Sequence, residues 1–332
     1  MMSVPFTAVL GAKKRIAAHI HRTPLELAAR LTEHCGVPVW LKKEHQQLTG
    51  SFKLRGATNA VLALSAGQRA NGVCTASTGN HGRALAYAAK SIGTHATICM
   101  SRLVPDNKVK AIEALGAGIK IVGRSQDDAQ AEVDRLVAEE SLVTIPPFDH
   151  EDIIAGQGTL GLEILEDVPE LDAILVPLSG GGLIAGVALA VKTLSPKTQV
   201  IGISMERGAA MIACLAAGKP VVVKELPTLA DSLGGGIGLE NRHTFAMVRD
   251  LVDETVTVTE REIADAITHA YEHEGEVLEG AAAVPIAALL AGKVAPKGPS
   301  ALILSGKNLD IAMHRAIVSR THPVYQKARS HA

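Results

Sequence analysis

Lys53 is the residue of this sequence with the clearest capacity for covalent chemistry. It lies in the segment Gly50-Ser51-Phe52-Lys53-Leu54-Arg55-Gly56-Ala57, among small residues and one aromatic. Ser51 is predicted to cap a helix whose first turn carries the lysine. Helix amides and burial both disfavour an ammonium there, so the neutral amine could serve as nucleophile, Schiff-base partner or general base. A lone lysine at a helix start is more often simply solvated, so the assignment depends on other motifs.

A polar turn at residues 77–82 could bind a carboxylate. The segment Ser77-Thr78-Gly79-Asn80-His81-Gly82 lies between a predicted strand that ends at Ala76 and a predicted helix that begins near Arg83. Such a turn presents hydroxyls, an amide side chain and unpaired N–H groups at the positive end of a helix. The alternative is an ordinary capping loop in which Ser77 or Asn80 only satisfies the helix.

A glycine-rich turn has the composition of an anion site. In Ser179-Gly180-Gly181-Gly182-Leu183, three glycines allow successive backbone N–H groups to turn inward without side-chain collisions. The turn matches neither G-x-G-x-x-G nor a P-loop, and the acidic ribose partner is absent, so a single phosphate monoester fits better than a nucleotide. A tight strand-to-helix turn that needs only flexibility is the alternative. Gly234-Gly235-Gly236 is a second candidate nest.

Two further polar residues stand beside predicted elements near the end of the chain. Ser305, in Ser305-Gly306-Lys307-Asn308, closes the last apolar strand, and the ligands of open α/β sheets bind at such strand ends. A simple turn is the alternative there. Glu279 precedes an alanine-rich helix, and we interpret it chiefly as a charge that favours the helix dipole.

The predicted elements form two α/β units. Helices and strands alternate from residue 53 to about residue 143, and the alternation resumes from 156 to 217 after Pro146-Pro147. A Gly-rich loop at 234–238, two further helices and a terminal strand at 300–305 follow the second unit.

Composition excludes several classes of partner. The net charge is -1 and aromatic residues make up only 2% of the 332 residues, so nucleic acid is not expected as a partner. The longest apolar run, Ala281 to Ala291, is too short to span a membrane and contains Pro285. The scattered cysteines, without metal-ligand spacing, predict no metal site and a cytoplasmic protein with reduced thiols. They are Cys35, Cys74, Cys99 and Cys214.

Together, the lysine, the phosphate nest, the asparagine turn and the late serine could hold pyridoxal 5'-phosphate. From Arg22 to Asp310 the chain resembles the fold type II pyridoxal-phosphate enzymes of the serine/threonine dehydratase family. The resemblance is most specific in Lys42-x-Glu44-x-x-Gln47-x-Thr49-Gly50-Ser51-Phe52-Lys53-x-Arg55-Gly56-Ala57. The segments 77–81 and Ala155-Gly156-Gln157-Gly158-Thr159 support it.

The resemblance implies a role for each matching residue. Lys53 would be the Schiff-base lysine and the base for the α-proton, and Phe52 would pack by the pyridine ring. Asn80 would bond the ring hydroxyl, residues 179–183 would hold the phosphate, and Ser305 would face the ring nitrogen. The substrate would contact a further set: Ser77, Thr78, Gly79, His81 and Gly156, with Glu279 as an additional candidate.

The resemblance also implies an architecture. We expect two open, mainly parallel α/β domains with the active site between them. The large domain would comprise residues 1–45 and 146–325, and the small domain residues 46–145. A homodimer is expected from the family alone.

The implied reaction is α,β-elimination of water from a 3-hydroxy amino acid of the threonine or serine type, giving a 2-oxo acid and ammonia. A neutral serine beside the ring nitrogen favours elimination. Thr78 could instead donate a proton on the second face, so a serine or threonine racemase is the alternative. A nucleotide-binding Rossmann protein is a more distant alternative. Some members bind a cation after a strand, but Ser204, Gly208 and Ala210 argue against that site here unless Glu206 substitutes.

Within the family, three segments resemble the hydroxyectoine-utilisation dehydratases. They are Met100 to Pro105, Ser204 to Met211 and Asp231 to Gly238. This resemblance implies a 3-hydroxylated amino acid from hydroxyectoine breakdown as the substrate.

Overall fold

A computed structural model describes residues 3–77, 79–104 and 106–326. Its larger sheet has six strands in the order β1-β2-β10-β7-β8-β9. Strand β1 is antiparallel to β2, and the other neighbours are parallel. The strands are β1 (Leu25–Leu27), β2 (Val39–Lys42), β7 (Ala173–Pro177), β8 (Gln199–Met205), β9 (Glu254–Val258) and β10 (Ser300–Ile303).

The smaller sheet has four parallel strands in the order β5-β4-β3-β6. They are β3 (Val73–Ala76), β4 (Ala96–Met100), β5 (Gly118–Ile121) and β6 (Val143–Thr144). Every residue of β3 and β4 is buried, which explains their continuous apolar sequences. The fold class predicted from the sequence, with two mainly parallel α/β sheets, is confirmed.

Helices cover both faces of the sheets. The first seven are α1 (Phe6–Ile16), α2 (Ala29–Cys35), α3 (Lys53–Ala63), α4 (Ala66–Asn71), α5 (Asn80–Ile92), α6 (Asp106–Glu113) and α7 (Gln126–Glu140). The others are α8 (Glu151–Asp167), α9 (Gly182–Leu194), α10 (Ala210–Ala217), α11 (Thr244–Leu251), α12 (Glu260–His273), α13 (Gly280–Leu290) and α14 (Ile311–Val318). None of the described helices is both long and apolar enough to cross a membrane.

Two cores pack on opposite sides of the larger sheet. One joins α1, α8, α9 and α11, and the other joins α2, α12 and α13. A separate core lies where α3 and α5 cover the smaller sheet. All four strands of the smaller sheet fall between residues 73 and 144. The domain boundaries at 45/46 and 145/146 stay a prediction.

Most predicted elements occur within a few residues of their expected ends. Helix α8 differs most, because it begins at Glu151 rather than at 156. The His150 side chain accepts the Asp152 N–H, and two acidic residues occupy the first turn. Several short elements were not predicted from the sequence: β1, β6, α2, α4, α11 and α14.

The predicted capping role of Ser51 was wrong. The residue before α3 is Phe52, and no side chain caps the helix. Ser51 forms an antiparallel bridge with Gly306, and its buried hydroxyl has no hydrogen-bond partner among the described residues. The residue therefore joins the start of the lysine helix to the turn after β10.

Candidate active site

Lys53 is the first residue of α3 and is half-buried. Its Nζ donates a hydrogen bond to the Pro147 carbonyl at 2.6 Å and lies 5.4 Å from the centre of the Phe52 ring. Burial lowers the pKa of Lys53 to about 8, while the negative charge of Glu279 opposes that shift. A useful fraction of the amine is therefore neutral near physiological pH, as the opening interpretation requires.

Ser305 is held beside the lysine segment by main-chain contacts. It is buried two residues after the end of β10, and its carbonyl accepts the Phe52 N–H at 3.0 Å. The Ser51–Gly306 bridge extends this contact by one residue pair. Two segments more than 250 residues apart in sequence thus meet at one point.

Asn80 is fixed by two side-chain hydrogen bonds. Its Nδ2 donates to Glu279 Oε1 at 2.8 Å, and its Oδ1 accepts from Asn308 Nδ2 at 2.6 Å. Asn308 also donates through Nδ2 to the Thr49 carbonyl at 2.9 Å. The orientation of the Asn80 amide is therefore set by partners from three distant parts of the chain.

Glu279 belongs to the site rather than to the helix that follows it. Its side chain does not cap α13, and its Oε2 accepts the Asn308 N–H at 3.1 Å. Burial raises the pKa of Glu279 to about 7, and the charge of Asp231 adds to this, while the bonds from Asn80 and Asn308 act in the opposite direction. Glu279 thus links Asn80 and Asn308 in addition to its position at the N-terminus of α13, and its contact with substrate stays a prediction.

The glycine turn joins β7 to α9, as expected. Gly181 precedes α9 with φ +93°, a left-handed conformation that favours glycine. A Cβ on Gly180 would lie 2.5 Å from the Phe148 ring, and one on Gly182 would lie 2.9 Å from the Phe148 main chain. Phe148 thus backs the turn closely at the start of α9, where a helix leaves its first N–H groups without intrahelical partners. A phosphate site at this turn stays a prediction.

Residues 77–82 form the junction between β3 and α5. Ser77 Oγ accepts the Gly82 N–H at 3.3 Å, and Gly79 precedes the helix. His81 Nε2 donates to the Ile145 carbonyl at 2.8 Å. Burial, aided by the charge of Lys53, lowers the pKa of His81 to about 3, so this side chain is neutral. Thr78 lies outside the described residues.

Gly156 has a packing function in α8. A Cβ there would lie 2.7 Å from both the Arg55 carbonyl and the Gly56 Cα. The glycine therefore allows α8 to approach the backbone of the lysine helix. A contact between Gly156 and substrate stays a prediction.

A buried group of four charges anchors the lysine helix, and the sequence analysis did not identify it. Arg55 donates to Glu44 at 2.8 and 2.9 Å and to Glu163 at 2.6 and 2.9 Å. Lys42 donates to Glu163 at 2.6 Å. All four side chains are almost completely buried. The motif spacing Lys42-x-Glu44 and Lys53-x-Arg55 was the only available signal.

A cavity of about 550 Å³ opens beside the carbonyl that holds Lys53. It is lined by residues 146–149 and 237–241, including Phe148 from behind the glycine turn. Its size suits a small organic ligand. Glu206 is exposed after β8. No group of three or more His, Cys, Asp or Glu placed to hold a metal occurs in the described ranges.

Comparison with known proteins places this geometry in a family. A Sinorhizobium fredii protein described as "Putative threonine dehydratase" is 62% identical over 96% of each chain. An L-threonine ammonia-lyase of Thermotoga maritima is 41% identical over 93% of this chain and 77% of its own. The structure of maize serine racemase has a TM-score of 0.89 and 34% identity, covering 96% of this chain and all of that one. Residues 16–306 match the model of the pyridoxal-phosphate dependent enzymes, and the chain belongs to that family.

Proposed function

We propose that this protein is a pyridoxal-phosphate-dependent ammonia-lyase that removes water from a 3-hydroxy amino acid of the threonine or serine type. One observation carries the proposal most directly: the buried Ser305 accepts the backbone N–H of Phe52, the residue before Lys53, and the Lys53 amine has its pKa lowered to about 8. The threonine dehydratase and ammonia-lyase names of relatives at 62% and 41% identity support it.

The residues present fit the cofactor. The turn at 179–183 offers backbone donors for one phosphate. The Asn80 amide is oriented by Asn308 and by Glu279, whose charge also acts on Lys53. Buried polar atoms without partners in the described structure, Ser51 Oγ and His81 Nδ1, also occur around the lysine. When bound, the cofactor supplies an electron-withdrawing ring that acidifies the α-proton of an attached amino acid.

Each of the protein's own groups at the site would then have a separate role in the reaction. Lys53 Nζ would take the α-proton, since its lowered pKa leaves a neutral amine available. Ser305 is neutral and would leave the ring nitrogen without a charged partner, which favours loss of the β-hydroxyl over a long-lived carbanion. His81 is neutral as well and gives its Nε2 proton to the Ile145 carbonyl, so it would contact the substrate carboxylate through its backbone N–H in the first turn of α5 rather than through the ring. Ser77, Gly79 and Gly156 are proposed to line the same side.

Product analysis tests the reaction against its alternative. L-Threonine or L-serine should yield ammonia and the 2-oxo acid in equal amounts, with little D-enantiomer. Predominant formation of the D-enantiomer would identify a racemase, and Thr78→Ala would then show whether that residue supplies the second proton. A bound nicotinamide nucleotide in place of pyridoxal phosphate would contradict both.

We further propose that the physiological substrate comes from hydroxyectoine breakdown. The support is the resemblance of the segments at 100–105, 204–211 and 231–238, of which Pro105 lies outside the described residues. Asp231, at the start of the last segment, acts electrostatically on Glu279 and so belongs to the surroundings of the site. Ammonia release from the 3-hydroxylated amino acids of hydroxyectoine breakdown, compared with threonine at equal concentration, tests the assignment, and a clear preference for threonine would oppose it.

We also propose a cytoplasmic homodimer. The four cysteines are unpaired, and three of them are buried, as suits a reducing compartment. Light scattering on the purified protein tests the dimer, for which a mass of about 69 kDa is expected from the 34.6 kDa chain.

The lowered pKa of Lys53 predicts how the apoenzyme captures its cofactor. The capture rate should rise about tenfold per pH unit below pH 8, because only the neutral amine attacks a carbonyl, and should level off above about pH 8. Stopped-flow absorbance measurements from pH 6 to 10 would follow it. A rate that still climbs about tenfold from pH 8 to pH 9 would show an ordinary lysine.

Gly180→Ala is expected to weaken cofactor binding by about 10- to 100-fold, because the new methyl group overlaps the Phe148 ring and must displace the turn. Titration of the apoenzyme with pyridoxal phosphate measures the change. Gly11→Ala in α1 is the control, since a Cβ there meets no atom within 4 Å. Equal affinities of the two variants would contradict the assignment of the phosphate turn.

A further inference from the structure

Arg83 has a charge that the described structure leaves unpaired. It lies in the first turn of α5, three residues after Asn80, and it is half-buried. Its Nε is buried without a hydrogen-bond partner. Over the described ranges, no hydrogen bond or ion pair reaches the rest of its guanidinium either.

This placement does not serve stability. A cation in the first turn of a helix faces the positive end of the helix dipole, and partial burial without an anion adds a desolvation cost. Burial lowers the pKa of Arg83, opposed only by the charge of Glu279. An arginine held at such a cost is best explained by an anionic ligand that is bound during function.

Glu279 is not that anion in the structure. No ion pair joins the two side chains in the described structure, and the Glu279 oxygens accept instead from the Asn80 side chain and the Asn308 N–H. Asp231, the other nearby acid, is exposed and lies 3.9 Å from Lys108. The N–H donors of the Arg83 guanidinium therefore remain able to bind an acceptor from outside the chain.

Arg83 and the reacting lysine share one neighbouring carboxylate. Residues three apart on a helix share a face, so Arg83 stands next to Asn80, whose side chain donates to Glu279. The charge of Glu279 acts on both Lys53 and Arg83, which places the two cations around the same carboxylate. A substrate attached near Lys53 would extend its side chain within this group.

We propose that Arg83 binds a carboxylate at the end of the substrate's side chain, which makes the preferred substrate a 3-hydroxy amino acid with a second acidic group. The inference rests on the proposed elimination reaction and narrows its substrate class. The same guanidinium repels a free ammonium, so it disfavours the cationic diaminobutyrates among the hydroxyectoine-derived candidates.

Binding of unreactive ligands tests the inference separately from catalysis. L-Aspartate and L-2-aminobutyrate both lack the leaving hydroxyl, and their affinities for the holoenzyme can be read from the cofactor absorbance. Wild type should bind L-aspartate more tightly. Arg83→Gln should weaken the affinity for L-aspartate by about 10- to 100-fold, which is the contribution of a charge-assisted hydrogen bond. It should change the affinity for L-2-aminobutyrate less than threefold. Arg83→Lys keeps the charge but loses the paired donors of the guanidinium, so its affinity for L-aspartate should lie between those of wild type and Arg83→Gln.

The control variant is Arg30→Gln, at an exposed pair with Glu33 on α2, and it should leave both affinities unchanged. Tighter binding of L-2-aminobutyrate or of 2,4-diaminobutyrate than of L-aspartate to wild type would overturn the inference without any variant. An equal loss of affinity for L-aspartate and for L-2-aminobutyrate in Arg83→Gln would overturn the inference as well. Absence of ammonia release from threo-3-hydroxyaspartate, threonine and serine alike would instead refute the proposed reaction.

Discussion

Replacing Lys53 by alanine should lower ammonia release from 3-hydroxy amino acids by at least about 10³-fold. The substitution removes the amine that is proposed both to hold the cofactor and to take the α-proton, and losing a group with two roles is far more costly than losing one contact. No other described lysine donates to the Pro147 carbonyl that positions Nζ. Steady-state assays of ammonia and 2-oxo acid would measure the loss.

Lys14→Ala is the matched control, since Lys14 is exposed on α1. It should retain wild-type activity and wild-type cofactor absorbance. A Lys53→Ala protein that keeps more than a tenth of the activity would remove Lys53 from the proposed mechanism.

Glu163→Gln should lower the free energy of unfolding by about 3 kcal/mol. The change leaves Arg55 and Lys42 buried with Glu44 as their only remaining carboxylate, and breaking a buried ion pair from one side typically costs 3–5 kcal/mol. Since Arg55 lies two residues after Lys53, cofactor affinity should fall too. Urea denaturation of the apoenzyme would measure the stability change.

Two variants calibrate this result. Glu166→Gln removes an exposed acid of the same helix, paired with Arg22 at 2.8 Å, and should cost less than about 1 kcal/mol. Adding Lys42→Met to Glu163→Gln removes the stranded ammonium and should recover part of the loss. Equal stabilities of the Glu163→Gln and Glu166→Gln proteins would contradict the anchoring role of the buried group.

Local patterns predicted the parts of the site that sit at element ends. Lys53, Asn80, the glycine turn and Ser305 each follow or begin a recognisable helix or strand, and parallel α/β topology brings such ends together. Continuous apolar strands such as β7 could also be predicted from the sequence. The three-residue β1 and two-residue β6 were missed, because so few residues show no periodicity.

Contacts between distant segments were beyond sequence reasoning. The carboxylate of Glu279 bonds residues 80 and 308, and burial moves its pKa to about 7, which no local feature of an alanine-rich helix start indicates. Ser51 has the residue type of a helix cap, yet pairing with Gly306 determines its conformation. The unpaired Arg83 guanidinium is visible only once its surroundings are known.

The most direct test of the account is to locate the cofactor on the chain. Purified protein is reduced with borohydride, digested and analysed by mass spectrometry. We predict one pyridoxyl group, on the peptide that contains Lys53, with loss of the original cofactor absorbance. A pyridoxyl group on another lysine, or none after saturation with pyridoxal phosphate, would contradict the central claim.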